Sequence, residues 1–406
     1  MSYSIRSTCR LCGSHKLDTV LQLHATPPAN EFVTPDRAAE VQHEFPLYLS
    51  QCGDCGHVQL PVVVAPDILF SNYVYVSGTS PSFIRHFSEY ALDMVERFEL
   101  KPGDLVVDIG SNDGTLLGFF KAAGMRVLGV DPAKKIAAQA NASGIETLCT
   151  FFDRGTAAKI LSDYGSATLV LANNVFAHAD DLSEIANGVK DVLDPERGRF
   201  IFEVQYLVDL VQETLFDMVY HEHLSYHSIR PLVPFFGSIG MSVIDASRVP
   251  THGGSIRVVV QSGQELKSSA RMQELLRQEN RAMSGNPFGD MSQRIQRAGQ
   301  QVCDALQGVT GTVVGYGAPA KLTTLMYQFG ITPDQIAYVV DDSPWKQGLL
   351  TPGKHIPVKP PTLLLDPNNM PACILIFAWN FADQIINKYP QFKGSFIVPL
   401  PEFKKV

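Results

Sequence analysis

Four of the seven cysteines stand in two Cys-x-x-Cys pairs, and a glycine follows each pair. Such a turn brings two thiolates onto one ion, and two turns together supply a closed tetrahedral Zn²⁺ site. Reduced surface thiols or a redox pair are the alternatives, although neither pair stands in a thioredoxin-like context. We predict a structural zinc ion with no open coordination position, and its ligands are Cys9, Cys12, Cys52 and Cys55.

A second group of residues that could carry out chemistry is the run Tyr220-His221-Glu222-His223. An imidazole beside a carboxylate is what a general base near neutral pH requires, because the carboxylate fixes the tautomer and stabilises the charged ring. The two histidines could instead bind a metal, but their spacing is not that of His-Glu-x-x-His and no third ligand is evident. A polar surface helix with chance clustering is the other alternative, and the pattern favours catalysis.

A third group, residues 108–114, reads Asp-Ile-Gly-Ser-Asn-Asp-Gly and follows an apolar run. It is typical of the first strand, turn and helix of a nucleotide-binding sheet. Asp131, at the end of the next strand, can accept hydrogen bonds from two ribose hydroxyls. A dinucleotide site needs Gly-x-Gly-x-x-Gly around its pyrophosphate, whereas Asp113 stands here where phosphates would lie. The acids suit a cationic ligand without phosphate, and an NAD site or an unrelated flavodoxin-like turn are the alternatives.

The elements that position these residues follow from apolar runs that alternate with helical stretches. This alternation predicts an open, doubly wound parallel sheet in an α/β fold. The runs of the first α/β unit are Leu105–Val107, Val127–Val130, Leu169–Ala172 and Phe200–Phe202. The runs of a second α/β unit are 311–317, 336–342 and 373–377. Between the units, a polar stretch at about 261–300 predicts a long exposed helix with a break near 285–287.

Length and composition agree with several domains in one globular chain. At roughly 150 residues per domain, 406 residues suggest two or three domains. We expect a zinc domain at 1–75, a central α/β domain at 76–260 and a second α/β domain at 261–406. The net charge of −8 argues against a broad nucleic-acid surface. No apolar run reaches the roughly 18 residues of a membrane helix and no signal peptide is evident, so we expect no membrane partner and a cytoplasmic location.

Glycine-bearing turns also mark the second half of the chain. Residues 315–321 read Gly-Tyr-Gly-Ala-Pro-Ala-Lys and should open a helix whose N–H groups, with Lys321, form an anion site; a packing turn is the alternative. The run 341–348, which begins Asp-Asp, lines a pocket at the same sheet edge or forms a solvated loop. The run His-Gly-Gly-Ser at 252–255, with Arg257, is a hinge or a substrate contact.

These motifs, in this order, resemble the deoxysugar C-methyltransferases of antibiotic and cell-surface polysaccharide pathways, and the similarity covers nearly the whole chain. Enzymes of that family transfer methyl from S-adenosylmethionine to C-3 of a nucleotide-linked 4-keto-6-deoxysugar. The glycine turn resembles motif I of the class I S-adenosylmethionine methyltransferases, although Asn112 stands where that motif usually has a glycine. The motifs that carry the resemblance are the four-cysteine unit and the runs at 72–80, 108–114, 220–223, 252–255 and 315–321.

The resemblance implies a fold and a set of site residues. The fold is a small zinc-binding subdomain, a central class I methyltransferase with a doubly wound Rossmann-like sheet, and a second Rossmann-like domain. The implied catalytic residues are Tyr75, His178, Tyr220, Glu222 and His223, the last of them as base. The implied contacts of S-adenosylmethionine are Asp108, Gly110, Ser111, Asn112, Asp113, Asp131, Asn173 and Asn174. The implied contacts of the nucleotide-linked sugar are Tyr75, Ser255, Gly317, Ala318 and Lys321.

The implied mechanism is carbon methylation through an enolate. His223 removes the C-3 proton, which the C-4 ketone acidifies, while Glu222 orients and polarises His223. Tyr220 or His178 would stabilise the enolate oxygen. The alternatives are a sugar O- or N-methyltransferase, a non-catalytic protein that binds zinc and a nucleotide sugar, and an NAD-dependent epimerase or dehydrogenase. The residues leave open the sugar, its nucleotide, the face methylated, the pathway, the roles of Glu203 and His252, and the choice between monomer and dimer.

Overall fold

The computed structural model describes residues 2–65, 68–69, 81–366 and 370–406, with the backbone alone at 81–83 and at 252. The run at 72–80, which includes Tyr75, therefore lies outside the described residues, and so does the side chain of His252. The sugar contact expected of Tyr75 stays a prediction.

The amino-terminal part is built from short strands that pair antiparallel. They are β1 (Tyr3–Ile5), β2 (Leu17–Thr26), β3 (Phe45–Cys52), β4 (Val58–Gln59) and β5 (Val62–Val64). β1 pairs with β5, while β3 pairs with β2 on one side and β4 on the other. In β3 the side chains of Phe45, Leu47 and Leu49 are buried at every second position, so one face of this sheet covers a core.

The central part alternates strands and helices, as the apolar runs predict. Its elements are α1 (Pro81–Arg97), β6 (Leu105–Ile109), α2 (Thr115–Ala122), β7 (Arg126–Val130), α3 (Lys134–Ala142), β8 (Thr147–Leu148), α4 (Arg154–Tyr164), β9 (Leu169–Asn173), α5 (Leu182–Val192), β10 (Arg199–Gln205), α6 (Leu207–Gln212), β11 (Ser225–Tyr226), α7 (Ile229–Ser238), β12 (Met241–Val249) and β13 (Ser255–Ser262). A seven-stranded sheet has the order β12-β13-β10-β9-β6-β7-β8. Its last five strands are parallel, whereas β12 and β13 are antiparallel to their neighbours.

Both faces of this sheet are buried. In β9, Leu169 and Leu171 pack into a core that includes side chains of α1 and α2, whereas Val170 and Ala172 pack into a second core with α4 and α5. The strand order reverses at β6, and the loops that follow β6 and β9 open into the crevice where ligands of such sheets bind. The doubly wound α/β fold expected from the sequence is confirmed.

β11 leaves the central sheet and joins the amino-terminal one. It pairs antiparallel with β4, which gives a four-stranded sheet of order β11-β4-β3-β2. Ser225 pairs with Gln59, and Tyr226 pairs with Val58. Because β11 begins two residues after His223, the segment that carries the Tyr-His-Glu-His run is held by the zinc-binding part of the chain.

The carboxyl-terminal part is a second Rossmann-like unit. Its elements are α8 (Ala270–Ala282), α9 (Pro287–Gln307), β14 (Val313–Tyr316), α10 (Lys321–Phe329), β15 (Val339–Val340), β16 (Val358–Lys359), β17 (Cys373–Ile376), α11 (Ala382–Lys388), β18 (Ser395–Val398) and β19 (Lys404–Lys405). The sheet order is β16-β15-β14-β17-β18-β19, parallel except for β19. β14, the first strand of this unit, thus lies inside its sheet, as β6 does in the seven-stranded sheet.

The polar stretch between the two units forms helices with a break at the expected place. Asn286 caps α9, because its side chain accepts a hydrogen bond from the N–H of Gly289, and Pro287 opens the helix. The expectation of an exposed helix is wrong for α9. Phe288, Met291 and further apolar residues at helical spacing are buried, since this face packs onto the carboxyl-terminal core. Among the helices of the described residues, none is long and apolar enough to cross a membrane.

Candidate active site

The four cysteines of the predicted metal site lie together. Their Sγ atoms are all within 4.8 Å of one another, with 3.6 Å between Cys9 and Cys55 and 3.5 Å between Cys12 and Cys52. Zn–S bonds of about 2.3 Å in a tetrahedron place the sulfur atoms about 3.8 Å apart, so the four thiols fit a zinc ion. In both turns the N–H of the glycine donates to the carbonyl of the first cysteine at 2.9 Å.

The glycine turn after β6 is closed by the acid that follows β7. The N–H of Asn112 donates to Oδ2 of Asp131 at 2.9 Å, and the N–H of Ala133 donates to Oδ1 of the same residue at 2.8 Å. Gly110 has a φ of 69°, and a Cβ there would overlap Cγ2 of Val175. Since Val175 belongs to the loop after β9, the glycine turn after β6 is in contact with that loop. Only glycine fits at position 110.

The acids of this turn fit a cationic ligand. Burial, together with the nearby Asp131, raises the pKa of Asp108 well above its ordinary value, and burial raises the pKa of Asp131 as well. Oδ1 of Asp108 and the hydroxyl of Ser111 are buried without a hydrogen-bond partner within the part of the chain that is described. A positively charged group would favour the ionised form of both acids. S-adenosylmethionine carries such charges on its sulfonium and ammonium groups.

The remaining residues expected to contact the cofactor lie at the carboxyl ends of β6 and β9 in the seven-stranded sheet. Asp113 lies just before α2, where its Oδ1 accepts from the N–H of Thr115 at 3.1 Å and from the Thr115 hydroxyl at 2.7 Å. Asn173 is the last residue of β9. Asn174, with a φ of 55°, donates its N–H to the carbonyl of Glu203 at 2.7 Å. Contact of these residues with the methyl donor stays a prediction.

The structure brings three of the predicted catalytic residues together. The ring of His223 stacks on His178 with centroids 5.0 Å apart, and the ring of Tyr220 lies 4.0 Å from that of His223. Nδ1–H of His223 donates to the carbonyl of Met218 at 2.8 Å, which leaves the lone pair on Nε2. Burial lowers the pKa of His223 to about 4. Burial, with the neighbouring His223, lowers the pKa of His178 to about 3, so both rings are neutral at pH 7.

Glu222 has a different partner from the one expected. Nδ2 of Asn30 donates to Oε1 and Oε2 of Glu222 at 2.9 and 3.0 Å. The orientation of His223 comes from the Met218 carbonyl instead, because the end of the 3-10 turn Phe216–Met218 offers a backbone acceptor there. Burial raises the pKa of Glu222 to about 7, although the Asn30 amide acts in the opposite direction.

The turn that opens α10 has protein partners for its donors. The N–H of Gly317 donates to the carbonyl of Val340 at 2.7 Å, and the N–H of Ala318 donates to Oδ2 of Asp341 at 2.6 Å. These hydrogen bonds are those expected of a turn that serves packing, the alternative weighed in the sequence analysis. Binding of an anion there stays a prediction.

Lys321 is buried in a polar network at the boundary between the central and carboxyl-terminal parts. Its Nζ donates to Oδ1 of Asn380 at 2.7 Å and lies 3.8 Å from the ring centroid of Trp379. Nε1 of Trp379 in turn donates to Oδ2 of Asp217 at 2.6 Å. Burial lowers the pKa of Lys321 to about 8. Lys321 is therefore linked through Trp379 to the segment that leads into Tyr220-His221-Glu222-His223.

The His-Gly-Gly-Ser turn packs against the same tryptophan. A Cβ on Gly253 would lie 2.8 Å from the Trp379 ring. Ser255 is 0% exposed, and its hydroxyl donates to the carbonyl of Thr251 at 3.1 Å. The structure thus gives this turn a packing role between two domains, and a contact of Ser255 with substrate stays a prediction.

Glu203, which had no role in the sequence analysis, is the centre of a buried ion pair. Its Oε1 lies 2.6 Å from Nε of Arg257, and its Oε2 lies 2.8 Å from Nε2 of His86. Although burial acts to raise it, His86 and Arg257 hold the pKa of Glu203 below its ordinary value. Arg257 thereby stabilises the carboxylate of Glu203, which lies in β10.

The sequence analysis missed Asn30 and the carbonyl of Met218. Asn30 is 192 positions from Glu222 in the chain, and it stands in no motif with a recognised spacing. Backbone carbonyls carry no sequence signal at all. The pairing of β11 with β4 joins the two parts of the chain and brings residues of the amino-terminal part to this site.

Family models match three consecutive segments of the chain. A zinc binding domain matches residues 9–70, a methyltransferase domain matches 83–245, and a C-methyltransferase C-terminal domain matches 250–401. Among solved structures, the chain is similar to magnesium protoporphyrin IX methyltransferase from Synechocystis PCC 6803 with bound SAH. The identity is 17% over 44% of this chain and 83% of that chain, with a TM-score of 0.35.

A second similar structure is an S-adenosylmethionine-dependent methyltransferase from Clostridium acetobutylicum, at 14% identity over 48% of this chain and 95% of that one, with a TM-score of 0.36. A curated relative is much more similar. C-methyltransferase NovU of Streptomyces niveus is 36% identical over 403 residues, which is 97% of this chain and 95% of the relative. The chain belongs to the family of S-adenosylmethionine-dependent C-methyltransferases with a zinc-binding domain.

Proposed function

We propose that this C-methyltransferase methylates C-3 of a nucleotide-linked 4-keto-6-deoxysugar, with His223 as the base that removes the C-3 proton. The observation that carries the proposal is the geometry of His223. Its Nδ1–H is held by the Met218 carbonyl, and its ring stacks on His178 in the loop that also touches the methyl-donor turn. A neutral imidazole with a free Nε2 lone pair is the form that a general base needs.

The proposed step makes use of the residues around this ring. Nε2 of His223 takes the C-3 proton, and the electron pair of the C–H bond moves to the C-4 oxygen to give an enolate. The Tyr220 hydroxyl and His178 are placed in the same cluster and can donate to that oxygen. S-adenosylmethionine, when bound at Asp108 and Asp131, supplies a methyl group on a cationic sulfur atom. Glu222 and Asn30 would bind the sugar, with Tyr75 as a further expected contact.

We assign the nucleotide to the carboxyl-terminal sheet. In support, Asp341 accepts from the N–H of Ala318 at 2.6 Å and from the N–H of Ser343 at 2.8 Å, as Asp131 does at the methyl-donor turn. Carboxylate oxygens keep further lone pairs for ribose hydroxyls, as in other Rossmann-like sites. Lys321, at the start of α10, is the expected cation for the phosphates. We also propose a cytoplasmic location, because four zinc-binding thiolates require reducing surroundings.

The test of the proposed reaction is mass spectrometry of the purified zinc enzyme with S-adenosylmethionine and a panel of nucleotide-linked 4-keto-6-deoxysugars. We expect one substrate to gain one methyl group that resists mild hydrolysis. In deuterated water without S-adenosylmethionine, the same substrate should exchange its C-3 hydrogen. Methylation without any such exchange would point to transfer onto oxygen or nitrogen and would contradict the proposal.

The His223→Asn variant tests the base directly. We expect exchange and methyl transfer to fall by about 100-fold or more, since general base catalysis contributes at least that factor, while S-adenosylmethionine affinity stays unchanged. His221→Asn is the matched control, because His221 lies in the same run but its Nε2 is directed to the carbonyl of Pro46 at 3.2 Å. Full exchange activity in His223→Asn would remove this residue as the base.

A further inference from the structure

The zinc site and the histidine pair are connected by one side chain. Arg10 stands between the zinc ligands Cys9 and Cys12, and its side chain is 0% exposed. The guanidinium lies in the interior of the protein. Its Nη1 donates to the carbonyl of Leu60 at 2.8 Å and to the carbonyl of Leu224 at 3.1 Å.

The other side of the same guanidinium holds Asp180. Nε of Arg10 donates to Oδ1 of Asp180 at 3.0 Å, and Nη2 lies 2.9 Å from the same oxygen. Leu224 directly follows His223, whereas Asp180 stands two residues after His178. Arg10 therefore bridges the two loops that carry the stacked histidines.

These loops are also joined by backbone. The carbonyl of Ala177 accepts the N–H of Leu224 at 2.9 Å and the N–H of Ser225 at 3.0 Å. The backbone N–H of Arg10 donates to Oε1 of Gln59, whose own backbone pairs with Ser225 in the shared sheet. The histidine pair is thus held by a hydrogen-bond network that includes the guanidinium of Arg10, a residue that stands between two zinc ligands.

We propose that Arg10 is a positioning residue for the His178–His223 pair, through which the structural zinc site sets the geometry of the base. This inference rests on the proposed function in that His223 is taken as the base. Charge-assisted hydrogen bonds in a buried setting are strong and directional. The planar guanidinium group of Arg10 contacts both loops at once. A lysine at this position could reach only some of these acceptors, because it lacks the planar set of N–H donors of a guanidinium group.

Arg6 provides a matched control within the same cluster. Its Nη1 lies 3.1 Å from Oδ2 of Asp180 and donates to the carbonyl of Asp180 at 3.1 Å. Its side chain is 28% exposed, and its further side-chain hydrogen bond goes to Thr8 rather than to Leu224. Arg6→Met therefore removes a cation from Asp180 and leaves the loop of His223 unaltered.

The experiment compares Arg10→Met, Arg10→Lys and Arg6→Met as full-length proteins with their zinc content measured. Histidine-labelled protein without ligands gives the tautomer and the pKa of His178 and His223 by ¹H–¹⁵N NMR, with His223→Asn used for assignment. In the parent and in Arg6→Met we expect the Nδ1–H tautomer of His223 with a strongly lowered pKa. In both Arg10 variants we expect mixed tautomers and a pKa that moves up toward 6.5, because water enters between the loops.

Turnover provides the second readout. We expect kcat of the Arg10 variants to fall by about 100-fold, as for a misplacement of about 1 Å at a reacting group, while the Kd of S-adenosylmethionine stays within about twofold. The same tautomer, pKa and kcat in Arg10→Met as in Arg6→Met, with zinc retained, would overturn the proposal. The NMR readout needs no substrate, so it stands even if the proposed sugar chemistry fails.

A surface variant keeps the proposal testable if Arg10→Met does not fold. The side chain of Asp180 is 46% exposed, and Asp180→Asn removes the charge at one end of the bridge without touching the zinc turn. We expect this variant to shift the His178 resonance and to lower kcat, because the loop of His178 loses its charge-assisted bond to Arg10. An unchanged His178 resonance and an unchanged kcat in Asp180→Asn would contradict the bridge.

Discussion

A single side-chain amide, that of Asn30, contacts both oxygens of Glu222. The amino-terminal part of the chain thereby contributes a residue to a site whose other members lie in the central part. A donor stabilises the charged form of a carboxyl group, so this amide opposes the burial that raises the pKa of Glu222 to about 7. At neutral pH the group is therefore present both as acid and as carboxylate.

Asn30→Ala should raise the pKa of Glu222 above about 7, because the variant loses the donor but keeps the burial. The acid form would then persist to higher pH, and the alkaline limb of the pH profile of kcat/KM would move upward if Glu222 titrates in it. Infrared difference spectra of the carboxyl band, with Glu222→Gln for assignment, measure the shift. Asn187→Ala is the control, since the amide of Asn187 donates to the carbonyl of Ser183 within α5. A pKa that is unchanged or lower in Asn30→Ala would contradict this account.

At the scale of the element, the turn between β6 and α2 is the proposed binding site of the methyl donor. Gly110→Ala should weaken S-adenosylmethionine binding by about tenfold or more, because the new Cβ overlaps Val175 and moves the turn. Calorimetry measures the affinity. Gly103→Ala is the matched control, since Gly103 has a φ of 91° but open space around it. We expect this control to lose about 1–2 kcal/mol of unfolding free energy from its backbone conformation and to bind the donor normally.

An equal effect of Gly110→Ala and Gly103→Ala on the affinity would show that backbone strain, rather than the contact with Val175, governs the turn. The sequence indicated this turn because glycine and two acids at fixed spacing follow an apolar strand. It did not indicate Val175, which reaches the turn only because β9 lies beside β6 in the sheet.

At the scale of the whole molecule, α10 of the carboxyl-terminal part holds both other parts. The hydroxyl of Thr324 donates to the carbonyl of Val219 at 2.8 Å, and that of Thr323 donates to the carbonyl of Ala29 at 3.2 Å. Val219 directly precedes Tyr220, and Ala29 directly precedes Asn30. The site is thus formed where three parts of the chain meet.

The buried pair of Trp379 and Asp217 stabilises this junction. Trp379→Phe keeps an aromatic ring but removes the pyrrole part of the indole with its Nε1–H, which leaves the buried carboxyl group of Asp217 without this donor. We expect a loss of about 1–3 kcal/mol in the free energy of unfolding, measured by urea titration. Trp345→Phe is the control, because Trp345 is 63% exposed and should change stability by no more than about 0.5 kcal/mol. Equal stability of the two variants would mean that the hydrogen bond contributes nothing to the junction.

The sequence by itself determined the zinc ligands, the two Rossmann-like units and the family, because these depend on local spacing and on apolar periodicity. Only the tertiary structure decided which side chains meet. It placed Asn30 rather than His223 against Glu222, and it set Arg10 across both histidine loops. The physical reason is that these contacts arise from β11 pairing with β4, a long-range choice made by packing and backbone hydrogen bonds, which leaves no periodic signal in the residues that it brings together.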